Sequence, residues 1–262
     1  MIASLDELAY ALGRAQSLPF RKASIATIAD GYSSLFLVAG QPGPAAVPAT
    51  LAGEFPTNLS AGAFRFADPL GAEQLQLARV AHVGSVPACL VLYDRIWHNA
   101  VSPSSIAKQA IAFPTGAQRY ADGAGVELWA EIYAALGNTT AASWTADIID
   151  QDGNATVASL SYGASGAAGR MIPFNLPAGV SGVRAVSSFQ TTASHVSGAM
   201  GLVLVRRLAE IPVAVAGVGV AQDGISLGLP IIQPGACVAM MVAHSGNASS
   251  GQVFGRLDLV RG

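Results

Sequence analysis

Gly125-Val126-Glu127-Leu128-Trp129-Ala130-Glu131-Ile132-Tyr133 opens the stretch whose reading decides the fold. It continues through Gly137-Asn138-Thr139-Thr140 to Ser143-Trp144-Thr145-Ala146-Asp147-Ile148-Ile149, the turn Asp150-Gln151-Asp152-Gly153-Asn154, and Ala155 to Tyr162. In the first segment Leu128, Ala130 and Ile132 share one face, and Glu127, Trp129, Glu131 and Tyr133 share the other. A period of two with unlike faces marks a strand. The polar link and the Asp-Gly turn suit hairpins, so three consecutive antiparallel strands are expected.

The same punctuation runs through the rest of the chain. Leu77–Val83, Ala88–Trp97, Ala107–Phe113, Arg170–Leu176, Gly182–Gln190, Gly198–Leu208, Gly235–His244 and Gly251–Val260 read as strands bounded by Gly, Pro, Ser or Asn. Many short strands separated by turn signals predict an all-β protein, an antiparallel β-sandwich or jelly roll. Val213–Leu229 is compatible with a loop, a strand or a weak helix. Ahead of this region, Ser4-Leu5-Asp6-Glu7 has the form of a capping box, and Leu5, Leu8, Ala9 and Leu12 form one stripe of a short N-terminal helix ended by Leu18-Pro19. That helix could pack on its own domain or on a neighbouring subunit. Residues 20–75 are broken by prolines at 42, 44, 48, 56 and 69, and offer only Ser34–Val38 and Ala63–Ala67 as strands. The expected division is an N-terminal helix and irregular extended arm over 1–74, then a β-sandwich domain over 75–262.

Composition narrows the function. Charged residues make up 11% of the 262, hydrophobic residues 52%, and the formal net charge is −2. A usual share of charged residues is about 25%. So much apolar residue excludes general disorder. So little charge on a free monomer is unusual, and it points either to a subunit whose surface is buried against neighbours or to a sandwich with a Ser/Thr-rich surface. No Lys/Arg cluster carries interleaved aromatics, so no nucleic-acid partner is expected. The run Met200–Val220 is interrupted by Arg206, Arg207, Glu210 and Pro212, so no membrane-spanning helix and no membrane partner are expected. The acidic N-terminus lacks a sustained apolar core and does not read as a signal peptide. Cys89 and Cys237, far apart in apolar surroundings, are expected as buried free thiols.

Candidate chemistry is sparse. His82, His98, His195 and His244 lie at no metal-ligand spacing, so they are expected to face solvent or be hydrogen bonded. Gly163-Ala164-Ser165-Gly166 and Gly179-Val180-Ser181-Gly182 fall short of a nucleophile elbow and read as turns. Glu127 and Glu131 would lie roughly 13 Å apart along one strand, too far for paired-carboxylate glycosidase chemistry, and are expected as solvated strand carboxylates. Asp150–Asn154 resembles half a calcium loop, but Ser161 stands where the closing acid belongs, so a hairpin turn suffices. Gly217-Val218-Gly219 lacks the third glycine of a dinucleotide loop. The Asn-x-Ser/Thr triplets at Asn58, Asn138, Asn154 and Asn247 reflect a Ser/Thr-rich composition. No catalytic, cofactor-binding or metal-ligating residue is assigned, no cofactor is expected, and the expectation is a protein that is not an enzyme.

Two stretches resemble a known group. Cys89-Leu90-Val91-Leu92-Tyr93-Asp94-Arg95-Ile96-Trp97-His98-Asn99 with Arg119-Tyr120-Ala121-Asp122-Gly123-Ala124-Gly125-Val126 is one. The other joins Gly182-Val183-Arg184-Ala185-Val186 to Gly198–Val205 and Arg207-Leu208. Together they resemble virion structural proteins of tailed bacteriophages, over residues 86–262. The resemblance implies a β-rich particle subunit located in the virion and assembled in the host cytoplasm. The resemblance leaves the place on the particle open; joined to the low-charge composition, it makes the first expectation a head decoration or cement protein, a homo-oligomer such as a trimer, with other virion proteins such as the major capsid protein as partners. Two alternatives stand beside it: a tail, fibre or spike-base component, and a β-sandwich module that stacks a host glycan on Trp129, Tyr133 or Trp97.

Overall fold

The computed structural model describes residues 4–26, 31–114, 118–137, 141–162, 166–244, 246 and 249–262. In chain order the elements are α1 (Leu5–Leu12), β1 (Gln16–Lys22), β2 (Gly31–Ser34), β3 (Gly40–Gln41), β4 (Leu75–Gly84) and β5 (Ala88–His98). Then come β6 (Gln109–Ala110), β7 (Glu127–Gly137), β8 (Ala142–Asp150), β9 (Ala155–Tyr162), β10 (Arg170–Pro173) and β11 (Val183–Thr191). The series ends with β12 (Ser197–Val213), β13 (Gly219–Asp223), β14 (Ile231–Ile232), β15 (Val238–His244) and β16 (Val253–Arg261). Among the described residues the protein is all-β and antiparallel apart from one short helix, as the period-two patterning requires.

Two compact units divide the chain. The first comprises residues 1–46, 57–94 and 207–262, and the second 47–56 and 95–206. This partition differs from the expected cut at residue 74. The proline-punctuated segment is irregular, as its sequence says, but it is folded into the units and does not hang free as an arm. Phe36, Phe64 and Phe66 are buried, and the Phe64 N–H donates to the Val238 carbonyl at 3.0 Å. The alternation over Ala63–Ala67 therefore records burial of two phenylalanines and not a strand. Ser34–Val38 was expected as a strand too; the strand ends at Ser34 with one last bond from Leu35 N–H to the Met240 carbonyl (3.0 Å), and residues 35–38 make a turn closed by Val38 N–H to Leu35 carbonyl.

In the first unit one sheet has the order β13-β4-β16-β1-β3, with β14 also on β4. The facing layer pairs β15 with β2 on one side and with the first part of β5 on the other. Inward residues alternate along each strand: Phe20, Leu77, Leu257 and Leu259 pack against Leu90, Leu92, Val238, Met240 and Val242. The helix α1 is capped as read, with Ser4 Oγ accepting from Glu7 N–H and Glu7 Oε2 accepting from Ser4 N–H, each at 3.2 Å. It ends at Leu12, earlier than the expected stop, because Gln16–Lys22 is taken up as a strand by β16. Its Leu8 and Ala11 lie on Ala78 and Val260 of its own unit. Burial of one cation is conspicuous. Lys22 is 1% exposed, donates from Nζ to the carbonyls of Val38 (3.0 Å) and Pro42 (2.7 Å), and has its pKa pulled down to about 8 by burial.

In the second unit the sheet β6-β11-β8-β9 faces the layer in which β7 lies between β10 and β12. Trp144, Ala146 and Ile148 of β8 and Val186 and Phe189 of β11 meet Leu128, Ala130 and Ile132 of β7 and Leu202 and Leu204 of β12. Two β-sheets with apolar inner faces make this a sandwich as well. The expected three-strand meander is half right. β8 and β9 form the hairpin, in register from Ala142↔Tyr162 to Ile149↔Ala155. β7 instead joins the opposite layer, and the intervening 138–140 lie outside the described residues. A one-face-buried partner of β8 would leave Trp129, Glu131 and Tyr133 in water, whereas β7 buries both faces. The expected strand Ala107–Phe113 shrinks to Gln109–Ala110, and Val213–Leu229 resolves into the edge strand β13 followed by turns.

Candidate functional site

Among the described residues of the second unit, four polar side chains form a chain. Arg95 and His98 come from the end of β5, Glu131 from the middle of β7, and Glu54 from the segment 47–56. That segment is laid along β5 by reciprocal backbone bonds between Glu54 and His98, N–H to carbonyl at 3.0 and 3.1 Å. Trp97 Nε1 adds a bond to the Ala52 carbonyl (3.0 Å) and Asn99 Nδ2 one to the Leu51 carbonyl (2.9 Å). Arg95 is fully buried; its Nη2 donates to Glu131 Oε2 at 2.5 Å and its Nε to His98 Nδ1 at 2.7 Å. A guanidinium has no lone pair to offer, so His98 Nδ1 must accept and the imidazole proton sits on Nε2. That nitrogen is 2.9 Å from Glu54 Oε1, whose side chain is 72% exposed. Arg119 clamps the same place from its two terminal nitrogens, bonding the carbonyls of Arg95 (2.8 Å) and Pro56 (3.0 Å).

Burial, then the positive charge of Arg95, drive the His98 pKa down to about 2. A general acid or base works best with a pKa near the operating pH. His98 is instead fixed as a neutral imidazole in one tautomer, and what the chain of contacts does is tie the irregular segment to two strands.

The other candidates are placed apart. All four histidines are buried, contrary to the solvent-facing alternative. His82 lies on β4, with burial lowering its pKa to about 4 and the Val83 backbone opposing that shift. His195 accepts at Nε2 from Trp144 Nε1 (3.2 Å), inside an aromatic stack in which Trp144 and Tyr162 have centroids 4.4 Å apart. His244 ends β15, and burial lowers the pKa of both. Among the described residues no group of three or more His, Cys, Asp or Glu comes together as a metal site.

Glu131 is not the solvated carboxylate expected: it is fully buried because Arg95 compensates its charge. Glu127 accepts from Trp129 Nε1 at 2.8 Å. Trp97 and Trp129 are 0% exposed and Tyr133 8%, which removes the aromatic platform that a stacked glycan would need. The Asp150 turn explains itself: Oδ1 accepts the N–H groups of Asp152 (2.9 Å) and Asn154 (2.8 Å), and these donors hold its pKa low. Gly179–Gly182 is a turn, with Val180 N–H on the Pro177 carbonyl, while most of Gly163–Gly166 lies outside the described residues. Val218 N–H closes a turn on Val215 before Gly219 begins β13. Asn58 is buried, with Nδ2 on the Phe66 carbonyl (3.0 Å); Asn138 and Asn247 lie outside the described residues. Neither cysteine is in a disulfide; Cys237 is buried and Cys89 only half-buried.

Sequence reasoning missed Glu54, Arg95 and Lys22. Arg95 and His98 stand three apart on β5, a spacing that normally sends side chains to opposite faces, yet Arg95 Nε reaches His98 Nδ1 at 2.7 Å.

No protein-family model matches the chain, and no curated protein matches it. Among solved structures it is similar to one of the infectious bursal disease virus Gt strain, at 9% identity and a TM-score of 0.18, over 94% of this chain and 80% of that one. It is likewise similar to a VP2 subviral particle of infectious bursal disease virus, at 10% identity and a TM-score of 0.19, with the same coverage. Scores of this size leave the fold to be defined by the sheet topology above.

Proposed function

We propose that this protein is a structural subunit of a virus particle, a head decoration or cement protein of a tailed phage that stabilises the shell through contacts between subunits. The observation that carries this reading is the surface. Only 11% of residues are charged, and large apolar side chains stand in water: Leu5 is 69% exposed, Tyr10 64%, Val196 77% and Phe254 44%. Apolar area left on a monomer is recovered when copies associate, at about 25 cal/mol per Å² buried. Repeated over a symmetric ring, modest contacts sum to a stable shell element, and closed symmetry makes a trimer a natural form. The phage-like stretches, 89–99 with 119–126 and 182–186 with 198–208, supply the second support.

The test is the molar mass of the purified protein by light scattering, followed by cosedimentation with phage heads lacking it. A defined oligomer that saturates heads at a fixed ratio is expected. A monomer that ignores heads overturns the proposal.

A further inference from the structure

The first unit carries a cleft of about 580 Å³ between the C-terminal end of α1 and the end of β16. Its volume is that of a small-molecule site. Arg14 and Arg261 both line it, together with Tyr10, Gln16 and Glu73 over an apolar floor that includes Leu259. The wall formed by α1 is fixed, because the capping box closes one end of the helix and Leu8 and Ala11 anchor it on Ala78 and Val260. Arg14 follows the helix directly and lies over the Tyr10 ring, 4.5 Å from its centroid. Arg261 uses one nitrogen, Nη2, on the carbonyls of Ala67 and Asp68, both at 3.3 Å. A guanidinium has five N–H donors. Among the described residues neither arginine has an ion-pair partner, although Glu73 lines the same cleft with only a backbone bond, to Leu70 N–H at 3.3 Å.

Two guanidiniums that form no ion pair among the described residues, beside the single carboxylate of Glu73, leave donors suited to an oxyanion, and Arg reads a carboxylate in bidentate fashion. Glu73, and Gln16, whose Oε1 already accepts from Ala67 N–H at 3.3 Å and whose amide N–H groups stay available, add groups suited to hydroxyls, and the Tyr10 ring and Leu259 add apolar surface. We infer that this cleft binds a small hydroxylated carboxylate of the sugar-acid class, its carboxylate on Arg14 and Arg261 and its hydroxyls on Glu73 and Gln16.

Titration of the full chain with sodium glucuronate, followed by calorimetry and by backbone amide NMR shifts, tests this, with glucose and acetate as separate arms. Saturable binding of glucuronate that shifts amides around Ala67 and Glu73 is expected. Arg14→Ala and Arg261→Ala should each weaken it by about tenfold or more, the worth of a charged hydrogen bond. Both arginines are exposed, so folding should survive, and unchanged melting curves verify that. Glu73→Gln should narrow the preference for glucuronate over acetate. Absence of saturable binding overturns the inference, as does binding that both arginine variants retain, or acetate or glucose binding as tightly as glucuronate. None of these readouts depends on whether the protein associates with phage heads.

Discussion

Arg95 Nη2 lies 2.5 Å from Glu131 Oε2, and neither side chain exposes any surface. Desolvation of two such ions is tolerated only while each compensates the other. Glu131→Ala should therefore destabilise by about 3–5 kcal/mol, since it strands a buried guanidinium. Replacing both, as Arg95→Met with Glu131→Leu, should recover most of that loss, with His98 Nδ1 left short of its donor. Urea denaturation midpoints of the three proteins check the order.

Acid should weaken the fold well before the carboxylates titrate. Burial holds His82 near 4 and His98 near 2, and lowers His195 and His244. The unfolded value is about 6.5, so below it the unfolded chain binds protons that the native state refuses. The histidine contribution is complete above about pH 6.5 and declines as pH falls, toward 4 for His82 and lower for His98. Each histidine still neutral in the native state adds a slope of about 1.4 kcal/mol per pH unit. Stability measured between about pH 7 and pH 5 should fall steeply, and His82→Leu should flatten that fall by one such increment.

Gly201 on β12 accommodates the close approach of the chain at Asn99, just past β5. A Cβ there would run into the Asn99 carbonyl and approach the Tyr133 hydroxyl to 2.6 Å. Both belong to one contact, Tyr133 O–H donating to the Asn99 carbonyl at 2.9 Å, and Asn99 Oδ1 accepts from Leu202 N–H at 2.8 Å. Gly201→Ala should cost about 1–3 kcal/mol or more through overpacking against backbone. Thermal unfolding gives the number, and a change below half a kcal/mol, roughly the level of a surface substitution, would show that the backbone at Asn99 yields.

Removal of the helix cap should act locally. Ser4→Ala costs about 1 kcal/mol of α1 stability, equivalent to roughly fivefold faster amide exchange in the helix. Exchange in β4 and β16 should stay as it was, because Leu8 and Ala11 sit on the outside of that sheet's Ala78 and Val260.

Strand existence was legible because alternation reports burial directly. β9 matches its expected span residue for residue, β5 runs one residue longer at its end, and β4 and β8 run one or two residues longer at both ends. Partners were less legible. Periodicity says which residues share a face, not which strand lies beside them, and β7 shows the limit: Trp129, Glu131 and Tyr133 look amphipathic beside Leu128 and Ile132, yet both faces are covered. A fully buried Glu131 cannot be read without knowing that Arg95, 36 positions earlier, lies against it. The arginine cleft was equally hidden, since Arg14 and Arg261 come from opposite ends of the chain.

Lys22 and Lys108 are the only lysines in the sequence, one in each unit. The first is sealed, while the second has a side chain 54% exposed and paired with Asp147. Amine-reactive labels thus find the pair with opposite histories. Lys108 acylates at once, whereas Lys22, though its lowered pKa supplies more free amine near neutrality than an ordinary lysine has, reacts only in molecules whose first unit has opened. The slow label is a chemical clock on that unit, and its rate would report how often the chain breathes there, alone or seated in an assembly.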